Sequence, residues 1–278
     1  GNTRGSPGVG HSITMSAASP PSGPNPIRAA MSIWRARRVR RPAPAGTGDA
    51  SHEQLVPILE DLRSGGVPAL QDHRDGLAAY RRNLESVDPD GLSAGGALAY
   101  WMNLYNAGAL DLAAAASTQS QVSVLRVAGG FSDTWATVAG EALSLDAIEH
   151  GKIRRFGDPR IHGGLVCGSA SCPTLRYEPF RGIAVDEQLE DQMGTFLASG
   201  GAVRNDVAGT LELSRIFLWY GADFTRPNRM PTLLPARPNA IADALGRWLP
   251  AGIEGWRITA GPKVRFQQYD WALGCAIG

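Results

Sequence analysis

The sequence predicts an α+β fold: a single globular domain of helices with a small mixed or antiparallel sheet, preceded by a disordered tail. Three observations point to it. Helical spacing of apolar residues dominates from Ser51 onward. Short alternating stretches interrupt it around residues 135–143, 211–213 and 264–269. Helices and strands follow no regular βαβ alternation, and no internal repeat is present.

Residues 1–50 read as the tail. They hold seven arginines against one acid, Asp49, for a net charge of +6 and leave −5 on the remainder. Gly, Pro and Ser are dense there and large apolar side chains are few, which predicts too little burial to offset chain entropy. The cluster from Arg35 to Arg41 reads as a solvated linker rather than a nucleic-acid or membrane contact. No secretory apolar segment follows Met31 and no apolar run approaches 20 residues, so a cytoplasmic location without a membrane span is expected. The chain begins with Gly, and Met15 and Met31 are alternative starts.

The domain is expected over 51–278. Leu55, Ile58, Leu59 and Leu62 mark a first helix behind a cap at Ser51, and Leu77, Tyr80, Arg81 and Leu84 a second. A third helix, from about Ser93 to Ala116, is apolar nearly all round and should be central. A hairpin turning near Gly140 follows, then a short helix capped by Ser144 and ending at His150. Residues 160–167 read as a buried strand entered through Asp158-Pro159. Further helices are expected at about 185–197, 214–220 and 240–249, and strands at 211–213 and 264–269.

The residues that could carry chemistry concentrate between 149 and 173. A strand would place His162 and Cys167 on opposite faces. Cys172, followed by Pro173, would then sit at a helix N-cap, where the dipole favours a thiolate. The alternative is that both cysteines are small buried apolar residues. Glu149 and His150 are acid–base material, and Asn103 and Asn106 share a face of the central helix as loop anchors or ligand donors. His150, His162, Cys167 and Cys172 are acceptable zinc ligands, but their intervals match no usual zinc spacing. His11, His52 and His73 need no role.

Several segments in order resemble the domain of unknown function 547 family. They are Tyr100 to Asn106 (YWMNLYN), Leu143 to His150 (LSLDAIEH), Asp158 to His162 running to Cys167 through Pro173, Leu213 to Tyr220 with Asp223-Phe224, and Tyr269 to Trp271. The resemblance covers about 93–273. It implies a bacterial-type domain also found in plants, with no established reaction. It marks Asn103, Asn106, Glu149, His150, His162, Cys167 and Cys172 as residues to test. The glycines after His162 replace bulkier residues common in the family.

The expected function is a cysteine-dependent hydrolase or acyl-transfer enzyme. Cys172 (or Cys167) would be the nucleophile, with His162 or His150 its base, Glu149 the orienting carboxylate and Asn103 an oxyanion donor. Asn106, Ser169 and Ser171 would bind substrate. A non-catalytic module binding a peptide or small ligand is the alternative, and a structural zinc domain a third. No cofactor is expected, and the near-neutral charge argues against nucleic acid.

Overall fold

A computed structural model describes residues 26–232 and 234–278. The expected tail at 1–25 and His11 lie outside these described residues. From residue 26 the tail expectation is corrected. Helix α1 (Pro26–Ala36) buries Ile33 and Ala36, and Ser32 Oγ donates to Asp146 Oδ2 at 2.5 Å. Arg155 holds the Ala36 and Val39 carbonyls at 2.7 and 3.0 Å, and buried Lys152 holds that of Arg40 at 2.8 Å. Further on, Gly48 bridges Leu92. Average composition concealed this docking because it rests on two apolar residues and on backbone carbonyls satisfied from elsewhere. Deleting residues 1–50 should therefore lower stability by about 2 kcal/mol or more, from the lost burial of Ile33 alone. An unchanged urea midpoint would show that α1 contributes nothing.

Helix α2 (Val56–Gly65) packs on the 3-10 turn Val67–His73, and that turn and α3 (Arg74–Glu85) pack beside α4 (Ala94–Thr118). The α2 helix starts with Pro57 in its first turn rather than at the expected Ser51 cap. Ser93 Oγ accepts from Gly96 N at 3.0 Å and caps α4. Nearly every α4 side chain is buried, so this is the central helix. No helix among the described residues is long and apolar enough to cross a membrane.

Strands β1 (Ala136–Val138) and β2 (Glu141–Leu143) form the expected hairpin, with Ala136 opposite Leu143. Ser144 caps α5 (Leu145–Gly151) by accepting from Ala147 N at 3.1 Å.

The expected strand at 160–167 is corrected. Residues Ile161–Gly164 form a helical turn, α6, and only the following stretch is extended. Asp158 starts the turn, its carboxylate accepting from Arg160 N at 2.9 Å and its carbonyl from Ile161 N at 3.4 Å. The run is buried on all sides, and a short apolar run of that kind carries no period to separate strand from helix. Close packing sets the two glycines. A Cβ at Gly163 would stand 3.1 Å from Met193, and one at Gly164 2.8 Å from Phe180 and 2.9 Å from Met102.

Helix α7 (Val185–Phe196) leads to a second sheet of β3 (Ala202–Asn205), β4 (Thr210–Leu213) and β5 (Lys263–Phe266). Its order is β3-β4-β5, with the first pair antiparallel and the second parallel. Helices α8 (Arg215–Trp219), α9 (Gly221–Thr225), α10 (Pro238–Leu245) and α11 (Ala251–Ala260) complete the chain. Strand β3 and helix α11 were not anticipated. One apolar core surrounds α4, and a second gathers Phe196, Leu211, Phe217, Phe224 and Ile241. The α+β class holds, and the chemistry-bearing residues lie where the two cores meet.

Candidate functional site

A buried charged centre joins the cores. Arg154, in the 3-10 turn after α5, donates from Nε to Asp223 Oδ2 and from Nη2 to Asp223 Oδ1, both at 2.8 Å. Arg154 is 1% exposed and Asp223 0%, so the fork-on-carboxylate geometry is what makes their burial tolerable. His162 Nε2 lies 2.8 Å from Asp223 Oδ2. Burial pushes the Asp223 carboxyl up, but His162 and Arg154 outweigh it and hold it down at about 2. The ionised carboxylate only accepts, so His162 Nε2 is the donor of this bond. The Tyr220 ring stacks on His162 at 4.0 Å.

Arg154 also fixes His150. A guanidinium only donates, so its Nη1, 3.3 Å from His150 Nδ1, makes that nitrogen an acceptor. Burial, opposed by Glu149 and reinforced by Arg154, lowers the imidazole to about 4, so His150 is neutral at pH 7 with its proton on Nε2. The 3.6 Å approach of Glu149 Oε1 to His150 Nδ1 is then not an ion pair at neutral pH. Glu149 Oε2 accepts from the Tyr105 hydroxyl at 3.2 Å, and Glu149 also engages the Tyr220 hydroxyl. Burial raises the Glu149 carboxyl. His150, then Tyr220, His162 and Arg154, outweigh that, so the net shift is downward.

The thiols form a second, adjoining centre. Cys172 Sγ accepts from Cys167 N–H at 2.9 Å and lies 3.3 Å from Ser169 Oγ and 3.5 Å from the Tyr269 hydroxyl. Cys167 Sγ shares both hydroxyls, at 3.0 Å and 3.3 Å. Ser169 donates to Tyr269 at 2.9 Å, which leaves the Tyr269 hydrogen for the sulfurs. Cys167 is pushed well up, first because its thiol hydrogen-bonds Cys172 and then by burial. Burial also raises Cys172, but the Cys167 thiol, the Tyr269 hydroxyl and the Ser169 backbone outweigh it and bring Cys172 to about 6. Burial, then Glu149 and Cys167, push the Tyr105 hydroxyl well up. On the outer side, Tyr269 meets Trp271 at 4.5 Å and the half-exposed Trp219 at 4.9 Å.

The expected site residues divide among these places. Glu149, His150 and His162 meet in the charged centre, and Cys167, Ser169 and Cys172 in the thiol centre. Among the described residues, neither sulfur of that pair has an imidazole as a hydrogen-bond partner. No helix follows Cys172 (residues 173–184 form bends and a bridge of Leu175 to Ile277), so the expected N-cap is corrected. Hydroxyls, a thiol and a backbone N–H do the work expected of a dipole. Cys167 is hydrogen-bonded rather than packed as an apolar residue.

The two amides clamp loops. Asn103 exchanges bonds of 2.7 and 3.0 Å with the Phe180 backbone, and Asn106 binds Gly164 O and Val166 N at 3.0 and 3.1 Å. Ser171 accepts from Asp270 N at 2.9 Å and ties down the C-terminal segment. His52 is buried with Nδ1 2.6 Å from the Tyr80 hydroxyl. Among the described residues, no group of three or more His, Cys, Asp or Glu side chains is arranged to hold a metal.

Sequence reasoning passed over Arg154, Asp223, Tyr220, Tyr105 and Tyr269 as site residues. The readable signal was an acid in the otherwise apolar run Gly221-Ala-Asp223-Phe224, where a buried carboxylate demands a partner.

The model of the family described as "Protein of unknown function, DUF547" matches residues 89–197. The resemblance read from the sequence is thus supported over the stretch that carries Asn103, Glu149, His162 and both centre cysteines. No curated protein and no solved structure matches the chain.

Proposed function

We propose that this domain is a cysteine-dependent enzyme of the hydrolase or acyl-transfer class, with Cys172 as nucleophile. The observation that carries the reading is the set of polar hydrogens around one sulfur: Cys167 N–H at 2.9 Å, with the Cys167 thiol and the Tyr269 hydroxyl beside it. Such a setting favours the thiolate, the attacking form, and a thiol with its pKa near ambient pH combines availability with nucleophilicity. An imidazole base is then unnecessary for the attack. Cys172 would add to an acyl carbonyl, and Tyr269 and Cys167 would supply hydrogen bonds to the oxyanion and a proton to the leaving group. Water would release the acyl group.

The test is alkylation by iodoacetamide across pH, read site by site by mass spectrometry. Cys172 should react with a half-maximal rate near pH 6, while Cys275, which burial and Cys172 raise to about 12, stays inert. Cys172→Ser should abolish turnover of a nitrophenyl ester. A half-maximal rate near the ordinary thiol value, roughly 8.5, overturns the nucleophile. Equal inertness of all three thiols would favour the binding-module reading, which draws on the internally satisfied Asn103, Asn106 and Asp223.

A further inference from the structure

The proposed nucleophile leaves the second thiol without a role of its own. Cys167 and Cys172 are five residues apart, yet both sulfurs reach the same Ser169 and Tyr269 hydroxyls, and the Cys167 N–H donates to the Cys172 sulfur at 2.9 Å. The intervening loop is built to hold them together. Gly168 turns at φ +77, a conformation that favours glycine, and a Cβ there would come within 2.9 Å of Val124. Cys172 N donates to Ser169 O at 3.1 Å, and Ala170 N to Ala272 O at 2.8 Å. The thiols are free, and each is half-buried, within reach of a small reagent.

We infer that Cys167 and Cys172 form a dithiol centre that reduces hydroperoxides, Cys172 reacting first and Cys167 resolving it. The inference rests on the reading of Cys172 as a thiolate but not on acyl transfer. In the first step the Cys172 sulfur attacks the distal peroxide oxygen. An S–O bond forms, the O–O bond breaks, and the departing alkoxide takes from solvent the proton that Cys172 gave up. Cys172 is then a sulfenic acid, oxidised by two electrons, and the peroxide is reduced to alcohol. In the second step the Cys167 sulfur attacks the sulfenic sulfur, an S–S bond forms, and the S–O bond breaks. The leaving hydroxide departs as water with the Cys167 proton. An external dithiol returns the pair to its reduced state by exchange.

Asymmetry between the thiols fixes the order. Cys172 receives the hydrogen bonds and is the better nucleophile at neutral pH, while Cys167 donates and keeps its proton until the S–O bond breaks. Cys275 is the rival resolving thiol because it packs, like Cys172, against the core around α4. Its sulfur is spent on the Ala276 carbonyl at 3.8 Å and has no share in the two hydroxyls.

The experiment treats the full chain with one equivalent of hydrogen peroxide and reads intact mass and cysteine peptides. The wild type should lose about 2 Da, through a Cys167–Cys172 disulfide reversed by dithiothreitol, and Cys275→Ser should do the same. Cys167→Ser, checked for folding by circular dichroism, should stop at a gain of about 16 Da on Cys172, captured by dimedone. Cys172→Ser should show neither change. A disulfide through Cys275, or a wild type that gains oxygen and never forms the Cys167–Cys172 bond, overturns the assignment, and the wild-type peptide map decides even if a variant misfolds. Alkylation of Cys172 near pH 6 without disulfide formation would end this inference and leave the acyl-transfer reading standing.

Discussion

Arg154→Ala is expected to destabilise the domain by about 3–5 kcal/mol, the range for removing one partner of a buried ion pair. The substitution leaves the Asp223 carboxylate with His162 alone, in a site where Asp223 is 0% exposed. It also frees His150 Nδ1 from its donor. Urea denaturation at pH 7 measures the loss, and a change below about 1 kcal/mol, the value of an exposed pair, would show that the pair is not a structural bond between the cores.

The pH profile provides an independent check. His150 falls from its ordinary 6.5 to about 4 in the folded state. The unfolded chain therefore binds a proton first, so this contribution is present above pH 6.5 and is lost as pH falls from 6.5 toward 4. Asp223, held at about 2 against an ordinary 3.8, adds stability above pH 3.8 that is lost as pH falls toward 2. In Arg154→Ala both groups lose a neighbouring positive charge, so the His150 value rises and the wild type should be the more acid-sensitive protein between pH 6.5 and 4, relative to its own stability at pH 7.

Trp101→Ala should cost about 3–5 kcal/mol, as deletions of large buried aromatics do. Trp101 is 2% exposed on α4, meets Tyr100 edge-on at 5.0 Å and carries the Lys152 ammonium 5.2 Å from its ring. Among the described residues its Nε1 has no hydrogen-bond partner, so Trp101→Phe gives up volume but no bond and should cost under about 2 kcal/mol. Thermal or urea unfolding of both variants separates packing from polarity. A loss below about 1 kcal/mol for the alanine variant would mean that the neighbouring side chains close over the gap.

By itself, the sequence determined what local signals encode. Apolar residues all round α4 specify a central helix. The Gly140 turn and the Ser144 cap specify the hairpin and α5, and the run from Cys167 to Cys172 already contains both thiols. Tertiary structure decided the rest, because the deciding partners are remote. Arg154 finds Asp223 69 residues later, and Cys167 meets Tyr269 102 residues later. Residues 161–166 are buried on every side, so no alternation survived to distinguish a helical turn from a strand. With that turn in place, His162 turns to Asp223 while the thiols turn to Ser169 and Tyr269. Periodicity records which side of a segment avoids water; it says nothing about which distant polar group satisfies a buried charge or thiol, and at this site those pairings set the chemistry.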